Sequence, residues 1–294
     1  MKRIFYSNIT YRCNNHCIFC YSHNTKLTNK ALNEISAENY IQYMEQNSLT
    51  KNDRVIINGG EPLLHKNISR ILEYLNSVGC EILIYTNGRA LRNIRSNFIS
   101  NRMRFIIPIH GPENLHDHIT RINHSYSETI QGITYLAEQN CITDIKVIIT
   151  NQMLENGIQN TINTLKSIKF NGSLHITKMD YTPVARSNNI QPPNIQSVAK
   201  YTKKLFDSFH DEHPIRIYDS CIKELSQLTK ANIFFSENEI KVYFKDDLHE
   251  FIIDLQTPKK DCTNNCPLRN FCKSAVSEYL TLHIKNNIPL IDLE

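Results

Sequence analysis

The sequence predicts an α/β protein, a partial (β/α)6 barrel of the TIM type followed by a small cysteine-containing extension. Three observations predict it. Apolar, β-branched runs alternate with amphipathic stretches six times in about the first 210 residues, which is the pattern of right-handed parallel β/α winding. A closed eight-unit barrel takes about 250 residues, so six units in this length leave an open arc. Beyond about residue 212 the alternation stops and a second group of cysteines appears. The expected division is therefore 1–212 for the barrel and 213–294 for the extension.

The strand-like runs are residues 3–10, 54–58, 81–86, 103–110, 144–150 and 174–181. The helix-like stretches are 36–47, 67–78, 90–98, 127–139, 155–168 and 194–209. Several open on helix-start residues, such as Ser36 ahead of Ala37 and Glu38, and Ser125 and Ser127 ahead of Glu128. In the extension, 215–219 reads as a strand, and 233–235 with 239–244 read as a hairpin around Ser236 to Glu239.

The bulk numbers exclude several classes. With 294 residues and 40% hydrophobic content the chain can bury a core, yet no apolar run approaches the roughly 20 residues of a membrane span. The start, Met1-Lys-Arg-Ile-Phe-Tyr6, lacks a cleavage pattern, so no secretion signal is expected. Net charge is +4 without a dense basic block, and pairs such as Lys203-Lys204 and Lys259-Lys260 read as solvated surface rather than a nucleic-acid footprint. Six of the nine cysteines fall in two arrays, which fits metal binding in a reducing cytoplasm better than a disulfide framework.

The first array is Cys13-Asn-Asn-His-Cys17-Ile-Phe-Cys20, just past the first strand. Three thiolates this close can hold three irons of a 4Fe–4S cube and leave the fourth without a protein ligand, open to chemistry. A zinc site with His16 as fourth ligand is the competing reading, though His16 sits cramped between two of the cysteines. The second motif, Asn58-Gly-Gly-Glu-Pro62, is a turn at the end of the second strand.

Together these motifs resemble the radical S-adenosylmethionine (SAM) superfamily, whose signature C-x3-C-x-aromatic-C has Phe19 in the aromatic place. The resemblance implies that Cys13, Cys17 and Cys20 ligate the cluster and that SAM chelates the open iron. It implies that Gly59, Gly60 and Glu61, with Pro62 behind them, hold the SAM amino group. Reductive cleavage would then yield a 5′-deoxyadenosyl radical that takes a hydrogen atom from substrate, with an electron donor such as flavodoxin or ferredoxin.

Chemistry in such barrels sits at the C-terminal strand ends. The candidates there are Thr86 and Asn87, His110, Thr150 and Asn151, and Asp180 to Thr182. Cys80 and Cys141 precede strands three and five, at the opposite rim, and read as half-buried packing or surface thiols. The run Ile109-His-Gly-Pro-Glu-Asn-Leu-His-Asp-His-Ile-Thr-Arg-Ile122 resembles the fourth strand and helix of the branch holding peptide-modifying and sulfatase-maturating enzymes. By that match Arg121 meets the SAM carboxylate, a task suited to its planar fork. His110 faces ribose or substrate, whereas His116 and His118 read as loop residues. The serine that branch often places two residues before His110 is Pro108 here.

The second array, Cys262-x3-Cys266-x5-Cys272, with Cys221, resembles the SPASM or Twitch auxiliary-cluster extensions of the same branch, one residue longer in its first gap than C-x2-C-x5-C. It implies a second 4Fe–4S cluster, with a four-cysteine zinc site as the alternative. The substrate reading is a ribosomally made peptide or protein side chain, oxidised, crosslinked or epimerised. Oxidation of a small aminosugar or alcohol is the alternative, and a non-catalytic cluster scaffold the remote one. The first strand begins near residue 3, so a leader peptide would have to bind the rim, the extension or a separate recognition protein.

Overall fold

The structure is a computed structural model and describes residues 3–20, 34–180, 182–217, 242–246 and 249–253. It is an arc of parallel β/α units. In chain order these are β1 (Ile4–Thr10), α1 (Ala37–Gln46), β2 (Arg54–Gly59), α2 (Ile68–Val78), β3 (Glu81–Tyr85), β4 (Met103–Pro108), α3 (Glu113–Thr120), α4 (Ser125–Glu138) and β5 (Ile142–Ile149). There follow α5 (Asn151–Asn156), α6 (Ile158–Ser167), β6 (Leu174–Lys178), α7 (Pro183–Ser187), α8 (Ile195–Phe209), β7 (Ile215–Ile217), β8 (Val242–Asp246) and β9 (His249–Ile253). The sheet order is β7-β6-β5-β4-β3-β2-β1-β8-β9, parallel throughout except for the β8–β9 hairpin. The expected barrel architecture is thus the observed one. Among the described residues no helix is long and apolar enough to cross a membrane.

The elements form for local reasons. In β1, Phe5, Ser7 and Ile9 are buried while Tyr6 and Asn8 between them stay half-buried, the period of two that a strand demands. In α2, Ile68, Ile71, Leu72 and Leu75 recur at helical spacing and are buried against the sheet. That helix stops at Gly79, whose φ of 79° places it in the left-handed region. Ser36 caps α1 by accepting from the Asn39 amide at 3.1 Å.

Four expectations change in detail. Residues 90–98 form two 3-10 turns, Leu91–Asn93 and Ser96–Phe98, in place of a helix. Their Ser and Asn content favours turns, and burial of Leu91 and Ile94 needs no full helix. The helix read at 155–168 is two, broken at Gly157 with φ of 90°. His116 and His118 lie on a helix, α3, rather than in a loop. The hairpin joins β8 to the strand after it, and β8 pairs with β1, so the chain beyond 212 supplies strands to both edges of the sheet. Residues 218–241 and 254–294, which include the first strand of the expected hairpin, lie outside the described residues.

The N-terminal rim is closed by charge. Arg104 Nη2 donates to Asp144 Oδ1 at 2.8 Å and to Ser173 Oγ at 3.0 Å, the Ser173 amide reaches the same carboxylate at 2.6 Å, and His175 Nε2 stands 3.2 Å from it. Cys80 and Cys141 are buried beside this rim, more fully than expected, and pack rather than face the surface. Burial opposes ionisation of Asp144, but the His175 ring 3.2 Å away and the hydrogen bonds from Arg104 outweigh it and hold the carboxyl at about 2. A depressed carboxyl stabilises the fold fully above its unfolded value, and that stability is lost as pH falls from about 4 to 2. Asp144→Asn should therefore lower stability by about 3 kcal/mol at neutral pH, read by urea unfolding of the cluster-free protein. It should also flatten the decline between about pH 4 and 2 relative to wild type.

Candidate functional site

At the C-terminal end of β1 the chain enters residues 11–20 and crosses the mouth of the arc. One side of this loop is fastened to the turn after β2. The Gly60 amide donates to Thr10 O and the Glu61 amide to Arg12 O, both at 2.7 Å. A Cβ on Gly60 would lie 2.5 Å from the carbonyl oxygens of Tyr11 and Arg12, and one on Gly59 (φ +136°) would strike the Thr10 carbonyl. The paired glycines are thus required by the approach of the cysteine loop itself. The other side is fastened to α3 and α7. His16 and Ile18 donate their amides to Thr120 O and Ile119 O at 2.9 and 3.0 Å. Asn188 Nδ2 and Thr182 Oγ1 donate to Ile18 O and Phe19 O at 2.8 and 3.0 Å.

Cys13, Cys17 and Cys20 carry reduced, half-buried thiols on this loop. Cys13 Sγ accepts from the Asn15 amide at 3.4 Å and faces Asn87 Nδ2 at 3.9 Å. Burial pushes the Cys13 thiol up to about 12, with Glu61 and Cys20 adding to it. Burial, then Cys20 and Cys13, push Cys17 well above the usual thiol range. Cys13 and Cys17 cannot both ionise here without a cationic group beside them. Among the described residues no set of three His, Cys, Asp or Glu converges on one point as the ligands of a single ion do. Three thiols on one loop, without a fourth, are the donor type that an iron–sulfur cluster takes, so the donor chemistry fits that group.

Glu61 is fully buried beneath the loop. It accepts from Thr86 Oγ1 and the Asn87 amide at 2.7 Å and from the Leu63 amide at 3.1 Å. Burial nevertheless raises its carboxyl to about 7. Pro62 opens the 3-10 turn Pro62–Leu64 that follows. The structure therefore brings Gly59, Gly60, Glu61, Thr86 and Asn87 together with the three cysteines.

Arg121 and Asn151 occupy a different place. Arg121 ends α3 in the left-handed region, φ 58°, and donates from Nη2 to Asn188 Oδ1 at 2.7 Å. It lines an open hollow of about 720 Å³ with Ile18, Asp117, His118, Gln152 and Asn188. Asn151 Nδ2 donates to Gln191 O at 3.0 Å. Ile18 and Asn188 connect this hollow to the far side of the cysteine loop.

His110 is buried between Phe19, at 5.6 Å edge-on, and His116, at 5.2 Å. Burial, with His116 beside it, holds His110 well below its ordinary value, and burial against the opposing pull of Asp117 brings His116 to about 4. Both imidazoles are neutral at pH 7. His110 Nδ1 and His116 Nε2 find no partner among the described residues. Asp117 instead caps α4, accepting from the amides of His124 and Tyr126 at 2.6 and 2.8 Å. Three residues that sequence reasoning passed over, Asn15, Arg89 and Glu128, hold the cysteine loop in place. Cys221, Cys262, Cys266 and Cys272 lie outside the described residues. Gly60→Ala should force the loop off the β2 turn, and the variant should retain less than half the wild-type iron after anaerobic reconstitution, measured per folded chain.

Residues 7–157, slightly more than half of the chain, match the radical SAM superfamily model. A curated relative from Methanocaldococcus jannaschii, which bears the provisional name glycyl-radical enzyme activating enzyme, is 22% identical over 193 residues, 65% of this chain and 73% of its own. Among solved structures, Streptococcus suis SuiB bound to the precursor peptide SuiA aligns with a TM-score of 0.62 at 15% identity. The alignment covers 83% of this chain and 57% of SuiB, so the chain spans little more than half of that relative's length. The protein anSMEcpe with bound AdoMet and a peptide aligns at a TM-score of 0.54 and 14% identity, covering 71% of this chain and 60% of that one. With the cysteine loop, the glycine turn and the parallel arc all in place, the chain belongs to the radical SAM superfamily.

Proposed function

We propose that the protein is a radical SAM enzyme that takes a hydrogen atom from a side chain of a ribosomally made peptide or protein. One observation carries the first half of this reading. The three thiols of Cys13, Cys17 and Cys20 share a loop that brings no fourth cysteine, and that loop is bonded to the Gly59–Glu61 turn. The cluster and SAM, when bound, supply reductive cleavage of SAM and the radical that abstracts hydrogen.

The chain's own residues have narrower tasks. Cys13, Cys17 and Cys20 hold the cluster. Gly59, Gly60 and Glu61 offer carbonyl and carboxylate acceptors to an ammonium group, with Thr86 and Asn87 fixing the Glu61 carboxylate. Arg121 offers its fork to a carboxylate, and Asn151 an amide at the next strand end. Phe19 and the neutral His110 keep water from the mouth behind the loop. The peptide half of the reading is supported by the peptides held in SuiB and anSMEcpe. The hollow beside the loop adds to it, because Asn114, Asn123, Gln152 and Asn188 offer amide donors and acceptors suited to peptide groups. Cys221, Cys262, Cys266 and Cys272 are assigned to a second cluster, and flavodoxin or ferredoxin to electron delivery.

With SAM, a strong reductant and a candidate peptide, the protein should release 5′-deoxyadenosine and change the peptide's mass. The Cys13/Cys17/Cys20→Ala triple variant should do neither, and equal release from that variant would contradict the reading. The reconstituted chain should hold about eight irons. About four irons and one zinc would remove the second cluster while leaving the first.

A further inference from the structure

The Arg89 guanidinium is nearly enclosed, its side chain 11% exposed, in the turn after β3. Its Nε donates to Glu128 Oε2 on α4 at 2.6 Å. Its Nη1 donates to the Asn14 carbonyl and to Asn15 Oδ1, the latter at 2.8 Å. Asn15 passes this on to sulfur, its backbone amide donating to Cys13 Sγ at 3.4 Å. A second arm runs from the Arg89 amide to Asn87 Oδ1 at 3.0 Å, and from Asn87 Nδ2 to Asn14 Oδ1 at 2.6 Å, with Cys13 Sγ at 3.9 Å. One buried cation is thereby wired through amides to the Cys13 thiol, with a half-exposed carboxylate behind it.

Hydrogen bonds to cluster sulfurs and nearby charge both set the reduction potential of an iron–sulfur cluster. A cation close by favours the state that has gained an electron, and an anion opposes it. We propose that Glu128, Arg89 and Asn15 form a relay that sets the one-electron reduction potential of the cluster on Cys13, Cys17 and Cys20. Arg89 is a positioning residue that acts through Asn15, and the proposal rests on the cluster sitting at those three cysteines. The electron comes from a low-potential one-electron donor such as a reduced flavoprotein or ferredoxin, and it reduces the cluster from its 2+ to its 1+ state. No proton moves. Arg89 raises the potential, and Glu128 tempers it by partly neutralising the guanidinium.

The signs separate this relay from mere support of the loop. Arg89→Gln removes the cation and should lower the potential, whereas Glu128→Gln leaves the cation uncompensated and should raise it. Each shift should be about tenfold in the reduction equilibrium, about 59 mV for one electron. Arg89→Lys keeps the charge but not the fork, so its potential should fall between wild type and Arg89→Gln. The measurement is an EPR-monitored redox titration of the full-length reconstituted chain, following the signal that SAM perturbs, with iron counted in every variant. Opposite shifts in the two Gln variants support the relay. If Arg89→Gln loses its iron, Glu128→Gln decides, because it leaves the contacts of Arg89 to Asn14 and Asn15 in place. Unshifted potentials, two shifts in the same direction, or iron loss in both variants overturn the relay. A wild-type chain that takes up no iron at these cysteines overturns the underlying cluster assignment instead.

Discussion

Two backbone hydrogen bonds, from the Gly60 amide to Thr10 O and from the Glu61 amide to Arg12 O, fix where β1 hands the chain to the cysteine loop. They form only because Gly59 and Gly60 carry no Cβ at points where one would meet the carbonyls of residues 10 to 12. Everything functional in the site is placed relative to that seam. Glu61 is pulled under the loop, and its carboxylate gathers the Thr86 hydroxyl and the Asn87 amide from the end of β3. Asn87 then faces Cys13, so the second and third strand ends are both read out at the first thiol. The glycines that look like room for a ligand are first of all room for the protein's own backbone.

The electrostatics follow from the same packing. Buried thiols and a buried carboxylate concentrate groups that become negative on ionisation, and burial opposes each of those charges. The local answers are an N–H donor aimed at the Cys13 sulfur and the Arg89 guanidinium bonded into the loop, and the superfamily's cluster would supply the cationic centre. His110 and His116 remain neutral and belong to the apolar side of the site. The N-terminal rim solves an unrelated problem by the same means, with Asp144 paired to Arg104 and His175 where the strands begin. One end of the arc is built to hold charge still, the other to receive it.

Much of this was legible in the sequence, because strand alternation and helical spacing are local signals. Cys13, Cys17 and Cys20 announced themselves by spacing, and the turn at Gly59 to Pro62 by its resemblance to a superfamily signature. Glu128, Arg89 and Asn15 did not, since 39 residues separate Arg89 from Glu128 and 74 separate it from Asn15. No pattern in a single sequence links positions that far apart. The helix α3 was hidden for another reason: its His and Asp residues are weak helix formers, and the helix is held by burial of Leu115, His116 and Ile119. The pairing of β8 with β1 was equally invisible, because a parallel partner more than 200 positions away leaves no local mark. Arg121 was reached by the resemblance of its segment, and its side chain bonds Asn188 at the edge of the hollow.

The central claim is that the loop holds a cluster with three protein ligands and one iron left open. Mössbauer spectroscopy of the iron-57-enriched protein tests this most directly. In a variant with Cys221, Cys262, Cys266 and Cys272 replaced by Ser, one iron in four should differ from the other three, and only that iron should change when SAM is added. Four equivalent irons that ignore SAM would contradict the account.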